Sequence, residues 1–348
     1  MDIESRVAYY LCNTLDKKWN ITFDSKTEQI RDDDTGLIYS DIFPEGYSIN
    51  HFHANYTLED YRFTEENRIL HAMNIPIDYN IDAYIKPGFE LLALDEYIHQ
   101  KSFLMRPGDV FFHIDIPIVT KTRPMGPSYN VLVNLDGKRH WKSIDVVKRN
   151  DIPFEDKNNK ILWRGDLNGF IDSKTRPSRK SLCEKYSNHE NKMIDIKAVD
   201  HTNLKTFHET YLGIEQQLES KFIISLEGGD VGTALKWILY SNSVVIMPHP
   251  TMCSWLMEDQ LKPWVHYVPL EVDFHDLVEK YEWCLNNLDK CKEIALNGKT
   301  YIEQFLDEER EKEITRQVLR GYVDNVTITS VENELNSENP IIPTRINN

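Results

Sequence analysis

The clearest chemical signal in this chain is a loop that interrupts a short apolar run. The run, residues 222–226, has the β-branched content of a buried strand, and Glu227-Gly228-Gly229-Asp230 breaks it. Thr233 and Lys236 follow on a segment (233–240) whose apolar residues recur at helical spacing. A second apolar run, residues 244–247, predicts the next strand. Strand, helix and strand in so few residues predict a parallel α/β unit, which binds ligands at the carboxyl ends of its strands.

A loop of this composition suits a phosphate-bearing ligand. The two glycines would let the backbone approach a ligand closely, and Lys236 lies about one turn into the predicted helix, where its ammonium and the helix N-terminus could face an anion. Asp230 and Thr233 could either contact a ligand or cap that helix. Glu227 could bind a sugar or ribose hydroxyl. The plainer alternative for Lys236 is a solvated lysine on the helix surface.

Two further segments carry charged side chains that could take part in the same chemistry. Leu162-Trp163-Arg164-Gly165 is followed by Arg176-Pro177-Ser178-Arg179, which adds cations. Asp115 comes after an apolar segment, 109–114, that predicts a strand, and it precedes Ile116-Pro117. A carboxylate at a strand end could accept a proton from a hydroxyl. It could equally cap the turn that follows.

In this order, the segments resemble glycosyltransferase family 90. The resemblance extends from about residue 111 to residue 306 and is faint over the first hundred residues. This family includes the protein O-glucosyltransferases, fungal capsule xylosyltransferases and bacterial lipopolysaccharide-core sugar transferases. The matching positions are Lys236, Ser241-Asn242-Ser243-Val244-Val245, the stretch from Leu261 to Pro269, and the two arginine-containing segments above.

The resemblance implies a fold, a reaction and a set of roles. The fold would be α/β and GT-B-like, with two Rossmann-like domains facing a cleft and C-terminal helices crossing back. The reaction would be an inverting, metal-independent transfer of glucose, xylose or galactose from a UDP-sugar, without a cofactor, to a glycan hydroxyl of lipopolysaccharide core or capsule. Asp115 would be the general base. The donor and its diphosphate would be held by Arg164, Gly165, Arg179, Glu227, Gly228, Gly229, Asp230, Thr233 and Lys236.

Length, net charge and cysteine content limit the kinds of partner that this protein could bind. The 348 residues suffice for two domains, and a net charge of −16 disfavours nucleic acid, which needs a basic surface. Five widely spaced cysteines indicate neither a disulfide framework nor a metal site and favour a reducing compartment. The chain starts without a signal-peptide pattern and has no long apolar run. We therefore expect a cytoplasmic protein with at most peripheral membrane contact, at the inner face, whose partners are a UDP-sugar and a glycan or glycolipid. Its oligomeric state is left open.

Hydrophobic spacing and turn residues place the remaining elements. The pattern predicts helices over residues 1–20, 58–73, 89–105, 179–186, 277–285, 291–305 and 307–322, strands over 129–135 and 161–163, and polar turns over 21–39. The polar stretch 148–160 predicts a domain boundary. The predicted domains are an acceptor-side domain (1–150), a nucleotide-sugar domain (151–325) and a frayed tail (326–348).

Other readings remain open at this point. A non-catalytic homologue that binds nucleotide or glycan would retain the same fold, and a sugar kinase would need a phosphate loop that the sequence lacks. Asp32-Asp33-Asp34 could suggest a metal-binding acidic motif, but its polar surroundings favour a solvated turn. His51, His53 and His71 lack matching acidic or cysteine ligands and are more consistent with structural histidines than with a metal site.

Overall fold

The computed structural model describes residues 1–24, 29–39, 50–53, 81–169, 175–199 and 210–331, which form a mixed α/β fold. The strands are β1 (Trp19–Asp24), β2 (Gln29–Asp32), β3 (Asn50–His53), β4 (Ser102–Arg106), β5 (Ile118–Thr120), β6 (Thr122–Pro124), β7 (Asn130–Leu132), β8 (Asn158–Gly165), β9 (Ile194–Ala198), β10 (Ser220–Ile224), β11 (Val244–Pro248), β12 (Met252–Ser254), β13 (Val268–Leu270) and β14 (Val326–Val331). The α-helices are α1 (Ile3–Leu11), α2 (Lys86–Leu92), α3 (Glu96–His99), α4 (Gly137–His140), α5 (Ser143–Asn150), α6 (Arg179–Tyr186), α7 (Ile214–Gln217), α8 (Leu235–Tyr240), α9 (Leu277–Asn286), α10 (Leu288–Glu303) and α11 (Glu308–Asn325). Shorter helical turns are Cys12–Asp16, Ile81–Ile85, Phe154–Asp156 and Glu258–Gln260.

A five-stranded sheet organises the second half of the chain. Its order is β13-β11-β10-β8-β9, and every neighbouring pair is parallel. Ile223 and Val245 belong to the apolar core that includes Ile238 of α8, whereas Phe222 and Val244 face a second core shared with α6 and α9. Both faces of the sheet are therefore covered, which explains why its strands read as continuous apolar runs. The parallel α/β unit predicted from the sequence is confirmed.

A four-stranded sheet organises the first half. Its order is β3-β4-β5-β7, with β4, β5 and β7 parallel. Its residues Phe103 and Val131 share the first core with Tyr322 of α11. Arg6 of α1 and Glu311 of α11 form a buried ion pair, with Arg6 Nη2 donating to Glu311 Oε2 at 2.7 Å. The last helix therefore packs on the first helix of the chain and on the first sheet.

The two sheets meet at the ends of their parallel strands. The short strands β6 and β12 pair antiparallel and join the two halves directly. Lys121, which follows β5, lies 3.0 Å from Asp230, which follows β10. Arg139, which follows β7, donates to Thr233 in the same loop after β10. The loops after β4, β5 and β7 are thereby brought against the loop after β10, which is where parallel α/β sheets bind ligands.

Two predicted elements are wrong in the first half. Residues 109–114 form no strand: β4 ends at Arg106, and Gly108, at φ +82°, turns the chain into a loop that reaches β5 at Ile118. The helix predicted over 89–105 is broken into α2 and α3, and its last residues form β4. The side chain of Asp95 caps α3 by accepting from the Ile98 amide, and this starts a new helix.

The ends of the chain also differ from the prediction. The first helix stops at Leu11, and residues 19–24 and 29–32 are strands. Val326–Val331, predicted as part of a frayed tail, pairs in parallel with β1 along its whole length. The alternating Val, Ile and Thr residues that follow the last helix could have been interpreted as a strand. The helix predicted over 58–73 lies outside the described residues, as does the chain after residue 331. The domain boundary near residue 150 stays a prediction.

Candidate functional site

The loop after β10 is tied to the segment after β11. Glu227 accepts hydrogen bonds from the Thr251 amide (2.7 Å), the Thr251 hydroxyl (2.5 Å) and the Met252 amide (3.0 Å). Burial raises the pKa of Glu227, and the Thr251 hydrogen bonds only partly offset this effect. The carboxylate therefore holds two loops of the site together. Its predicted contact with a sugar or ribose hydroxyl stays a prediction.

Gly228 and Gly229 let charged side chains approach the loop backbone closely. A Cβ atom on Gly228 would lie 2.8 Å from Nη2 of Arg179, and one on Gly229 would lie 2.3 Å from Oδ2 of Asp109. Gly169 packs against this loop from the other side, since its own Cβ would lie 3.2 Å from the Gly228 backbone, and its φ is +139°. The glycines thus let the loop fit between charged side chains of both halves of the molecule.

Asp230 faces the first half of the chain. It accepts a hydrogen bond from the Thr122 hydroxyl at 2.8 Å and pairs with Lys121 at 3.0 Å, while α8 begins at Leu235 without a side-chain cap. Capping, one of the two roles considered from the sequence, is therefore not what Asp230 does. Lys121 also pairs with Asp109 at 2.8 Å. Two carboxylates from different halves of the chain thus share one buried ammonium.

The two carboxylates have different environments. The side chain of Asp230 is only 3% exposed, and burial raises its pKa despite the charge of Lys121. The side chain of Asp109 is 29% exposed; burial acts to raise its pKa, but the charge and hydrogen bond of Lys121, together with Arg139 and Asp230, lower it. A pair of acids with pKa values pushed apart is a common feature of acid–base sites. Asp109 is thus the more solvent-accessible member of the pair and the one whose pKa is lowered.

Lys236 is enclosed between the two halves. Its Nζ lies 3.3 Å from His140 Nδ1, 3.5 Å from Ser254 Oγ and 3.8 Å from Glu258 Oε1. Burial lowers the pKa of Lys236, and the charge of Glu258 opposes that shift. Burial, followed by the charge of Lys236, holds the pKa of His140 well below its usual value, so its imidazole is neutral. The alternative of a solvated helix lysine is wrong, and contact with a diphosphate stays a prediction.

The two predicted arginines have different surroundings. Arg179 donates to the carbonyls of Glu227 (3.1 Å) and Asn168 (3.1 Å) and pairs with Asp166 at 3.1 Å, so it lies beneath the glycine loop. Arg164 pairs with Asp195 on the adjacent strand at 2.8 Å and donates elsewhere to backbone carbonyls. The structure therefore brings Arg179 to the loop and directs Arg164 into its own sheet.

Gly165 ends β8 beside Arg164 and leaves room for an aromatic ring. A Cβ atom at this position would lie 2.9 Å from the ring of Trp163. Thr233 accepts a hydrogen bond from Arg139 Nη2 at 3.3 Å. Thr233 therefore contacts the first half of the chain, while the placement of Gly165 is explained by local packing.

Asp115 lies outside the group of residues just described. It is exposed on the loop between β4 and β5, and the strand that was predicted to present it does not form. Its charge acts on Tyr39, whose pKa is raised by burial first, then by Asp32 and by Asp115. Within the described parts of the chain, Asp115 makes no hydrogen bond or ion pair with the glycine loop. Its role as a base stays a prediction.

Asp109 is the carboxylate that sequence reasoning missed. It follows Pro107-Gly108, a pair that already indicated the end of an element, but those residues were taken to precede a strand. Lys121 and Arg139 were missed as well, because nothing in their local sequence distinguishes them from solvated cations. Only the pairing of the two halves brings these residues to the loop.

A cavity opens beside this loop at the carboxyl ends of β10 and β11. Its volume is about 20 Å³, enough for about one water molecule. The lining includes Ser225, Glu227, Val231, His249 and Pro250. Its lining is mainly apolar, with Ser225, Glu227 and His249 as polar groups.

In the part of the chain that the structure describes, no three His, Cys, Asp or Glu side chains are grouped so that they could hold a metal ion. Within the same residues, no helix is both long enough and apolar enough to cross a membrane.

The sequence matches one protein family over most of the region that forms this site. The family is described as Glycosyl transferase family 90, and its profile matches residues 133–338. The chain therefore belongs to glycosyltransferase family 90, and the resemblance noted from the sequence motifs is confirmed.

Individual relatives agree with this assignment. The chain is 30% identical over 238 residues to the O-glucosyltransferase LpsA of Dichelobacter nodosus, covering 67% of this chain and 71% of that protein. It is 28% identical over 161 residues to protein O-glucosyltransferase 2 of Danio rerio, covering 44% of this chain but only 30% of the relative. An uncharacterized protein, 035R, of Invertebrate iridescent virus 3 is 36% identical over 100 residues, which are 28% of this chain and 9% of that protein.

Proposed function

We propose that this chain is an inverting glycosyltransferase that transfers a sugar from a UDP-sugar to a hydroxyl of a glycan. The observation that carries the proposal is the ionised, partly exposed carboxylate of Asp109 packed against the glycine loop of the parallel sheet. Glucose is the first choice of sugar because relatives in both bacteria and animals are named O-glucosyltransferases, with xylose and galactose as alternatives. Lipopolysaccharide core or capsule is the proposed acceptor.

The arrangement of the sheets supports a GT-B-like architecture. The loops after the parallel strands of the first half contact the loop after β10 in the second half, so two sets of strand ends face one another. In this proposal residues 1–150 form the acceptor-side domain and residues 151–325 the donor-side domain. A donor held by the second would then present its reactive carbon towards the first.

The proposed reaction is a single displacement. The acceptor oxygen attacks C1 of the donor sugar while its proton passes to Asp109. The bond between C1 and the UDP oxygen breaks, and its electron pair leaves with UDP. A carboxylate with a lowered pKa is a weak base, so its contribution comes from position. Asp109 is favoured over Asp115 because Asp109 packs against the glycine loop after β10. Asp115 is exposed further along the loop between β4 and β5.

The donor is proposed to lie along the loop. The backbone of Gly228 and Gly229 would approach the diphosphate, and Thr233 lies in the same loop. Arg179 is proposed to act mainly by fixing the loop, because its guanidinium already donates to several carbonyls. Lys236 is proposed to hold the two halves in register through His140, with direct contact to the diphosphate as the alternative derived from the sequence.

A binding panel tests this proposal. Calorimetry would compare UDP, UDP-glucose, UDP-galactose, UDP-xylose, GDP-mannose and ATP, each with and without EDTA. Binding confined to UDP compounds and insensitive to EDTA is the expected result, since no metal is invoked. Binding of ATP alone, or of none of these ligands, would contradict the donor assignment and favour a kinase or a non-catalytic homologue. The proposed location is the cytoplasm, with at most peripheral contact at the inner face of the membrane.

A further inference from the structure

Arg139 is a cation near the glycine loop that has no role in the proposed reaction. Arg139 lies on α4, which follows β7 after a short loop. It therefore belongs to the first half of the chain, whereas the glycine loop belongs to the second. Its Nη2 donates to Thr233 Oγ1 at 3.3 Å, and its Nη1 lies 3.9 Å from Asp136 Oδ2. The guanidinium thus reaches across the cleft to the loop on which the donor is proposed to lie.

The other cations around the loop are more enclosed. The side chains of Lys121 and Lys236 are 3% and 2% exposed, and both are paired with buried carboxylates. Arg179 is 16% exposed and donates to carbonyls beneath the loop. Arg139, in contrast, is 46% exposed. Of these four cations, Arg139 has the most surface available to an incoming ligand.

The electrostatic environment agrees with this placement. Burial and Lys121 dominate the pKa of Asp109, and the charge of Arg139 adds to the lowering. Burial and Lys236 dominate the lowered pKa of His140, and Arg139 contributes there too. The charge of Arg139 therefore acts on both the carboxylate proposed as the base and the buried cluster behind the loop.

We propose that Arg139 binds the diphosphate of the donor from the side opposite the glycine loop. This inference rests on the proposed function and names a residue that the function itself does not require. A guanidinium offers two parallel N–H groups that match two phosphate oxygens, which a lysine cannot do. Its hydrogen bond to Thr233 is exchanged for bonds to phosphate. As the bond to UDP breaks, the charge that grows on the leaving oxygens is then stabilised by a cation already in place.

The experiment compares three variants by calorimetry and steady-state hydrolysis of the UDP-sugar. Arg139→Ala removes the cation, and Arg139→Lys keeps the charge without the fork. Lys138→Ala is the matched control, because Lys138 neighbours Arg139 on α4 but is 79% exposed and lies 3.7 Å from Asp82. Affinities for UDP and for uridine would be measured for each variant, together with thermal unfolding.

Arg139→Ala is expected to weaken UDP binding by roughly 10- to 150-fold, because one charge-assisted hydrogen-bonding group is lost. Uridine binding should be unchanged. Arg139→Lys should recover part of the loss, and Lys138→Ala should resemble the wild type. Equal affinity of Arg139→Ala and wild type for UDP, or equal losses for UDP and uridine, would overturn the inference while leaving the proposed function standing. Failure of the wild-type chain to bind UDP would overturn both.

Discussion

Asp109 and Gly229 pack so closely that a Cβ atom on Gly229 would lie 2.3 Å from Oδ2 of Asp109. The two residues are 120 positions apart in the chain and belong to loops that follow strands of different sheets. Lys121, which pairs with Asp109 at 2.8 Å and with Asp230 at 3.0 Å, keeps the carboxylate in this place. The contact therefore brings an ionised carboxylate to the loop where the donor is proposed to bind.

Gly229→Ala should lower turnover by displacing Asp109. The new Cβ would overlap the carboxylate, and a shift of about 1 Å in a reacting group can cost on the order of a hundredfold in rate. Hydrolysis of the UDP-sugar and thermal unfolding would be measured together. Gly137→Ala is the control, because a Cβ there meets no atom within 4 Å. Equal turnover of Gly229→Ala and wild type would show that the close contact does not matter for the reaction.

His140 should make the protein less stable in mild acid. Burial holds its folded pKa well below the usual 6.5, so the unfolded chain binds more protons between the two pKa values. This contribution to stability is present above about pH 6.5 and is lost as pH falls towards the folded pKa. His140→Gln should remove this loss, as measured by urea unfolding between about pH 7.5 and 5.5.

His275 provides the control of opposite sign. It is exposed, and its hydrogen bond to Asp273 raises its pKa, so its contribution is present at low pH and is lost as pH rises. His275→Gln should therefore change the pH profile in the other direction, and only slightly. If His140→Gln and wild type lost stability in parallel on acidification, His140 would not be the group responsible.

Arg6→Met should destabilise the whole fold. The substitution leaves Glu311 buried without the cation that ties α1 to α11, and breaking a buried pair costs about 3–5 kcal/mol. Lys180→Met is the control, because the pair of Lys180 with Glu184 is about two-thirds exposed on both sides (66% and 65%). Removing an exposed pair should cost about 1 kcal/mol or less. Denaturant unfolding would decide: similar losses for both variants would mean that the α1–α11 contact contributes little.

Local sequence predicted the central strand–helix–strand unit of the second half of the chain. The runs around Phe222 and Val244 predicted strands correctly, because a parallel sheet buried on both faces requires continuous apolar segments. The helix predicted to begin at Arg179 is also present, and the structure shows that Ser178 caps its first turn. The family was recognisable from motifs in this same half.

The candidate site depends on contacts that local sequence does not encode. Asp109, Lys121 and Arg139 reach the loop only because β6 pairs with β12 and the two sheets face each other at their strand ends. Lys236 was predicted to lie at the ligand, whereas its neighbours Glu258 and His140 come from distant segments and enclose it. Residue type predicted the presence of charge at the loop, but tertiary packing decided which charges face the cleft.

The most direct test of the account compares Asp109→Asn with Asp115→Asn in hydrolysis of the UDP-sugar that binds best in the panel. If Asp109 is the base, Asp109→Asn should retain UDP affinity and lose about 10²- to 10⁴-fold in turnover, while Asp115→Asn should behave like the wild type. Unchanged turnover in Asp109→Asn would contradict the account, and a loss confined to Asp115→Asn would assign the base to Asp115 instead.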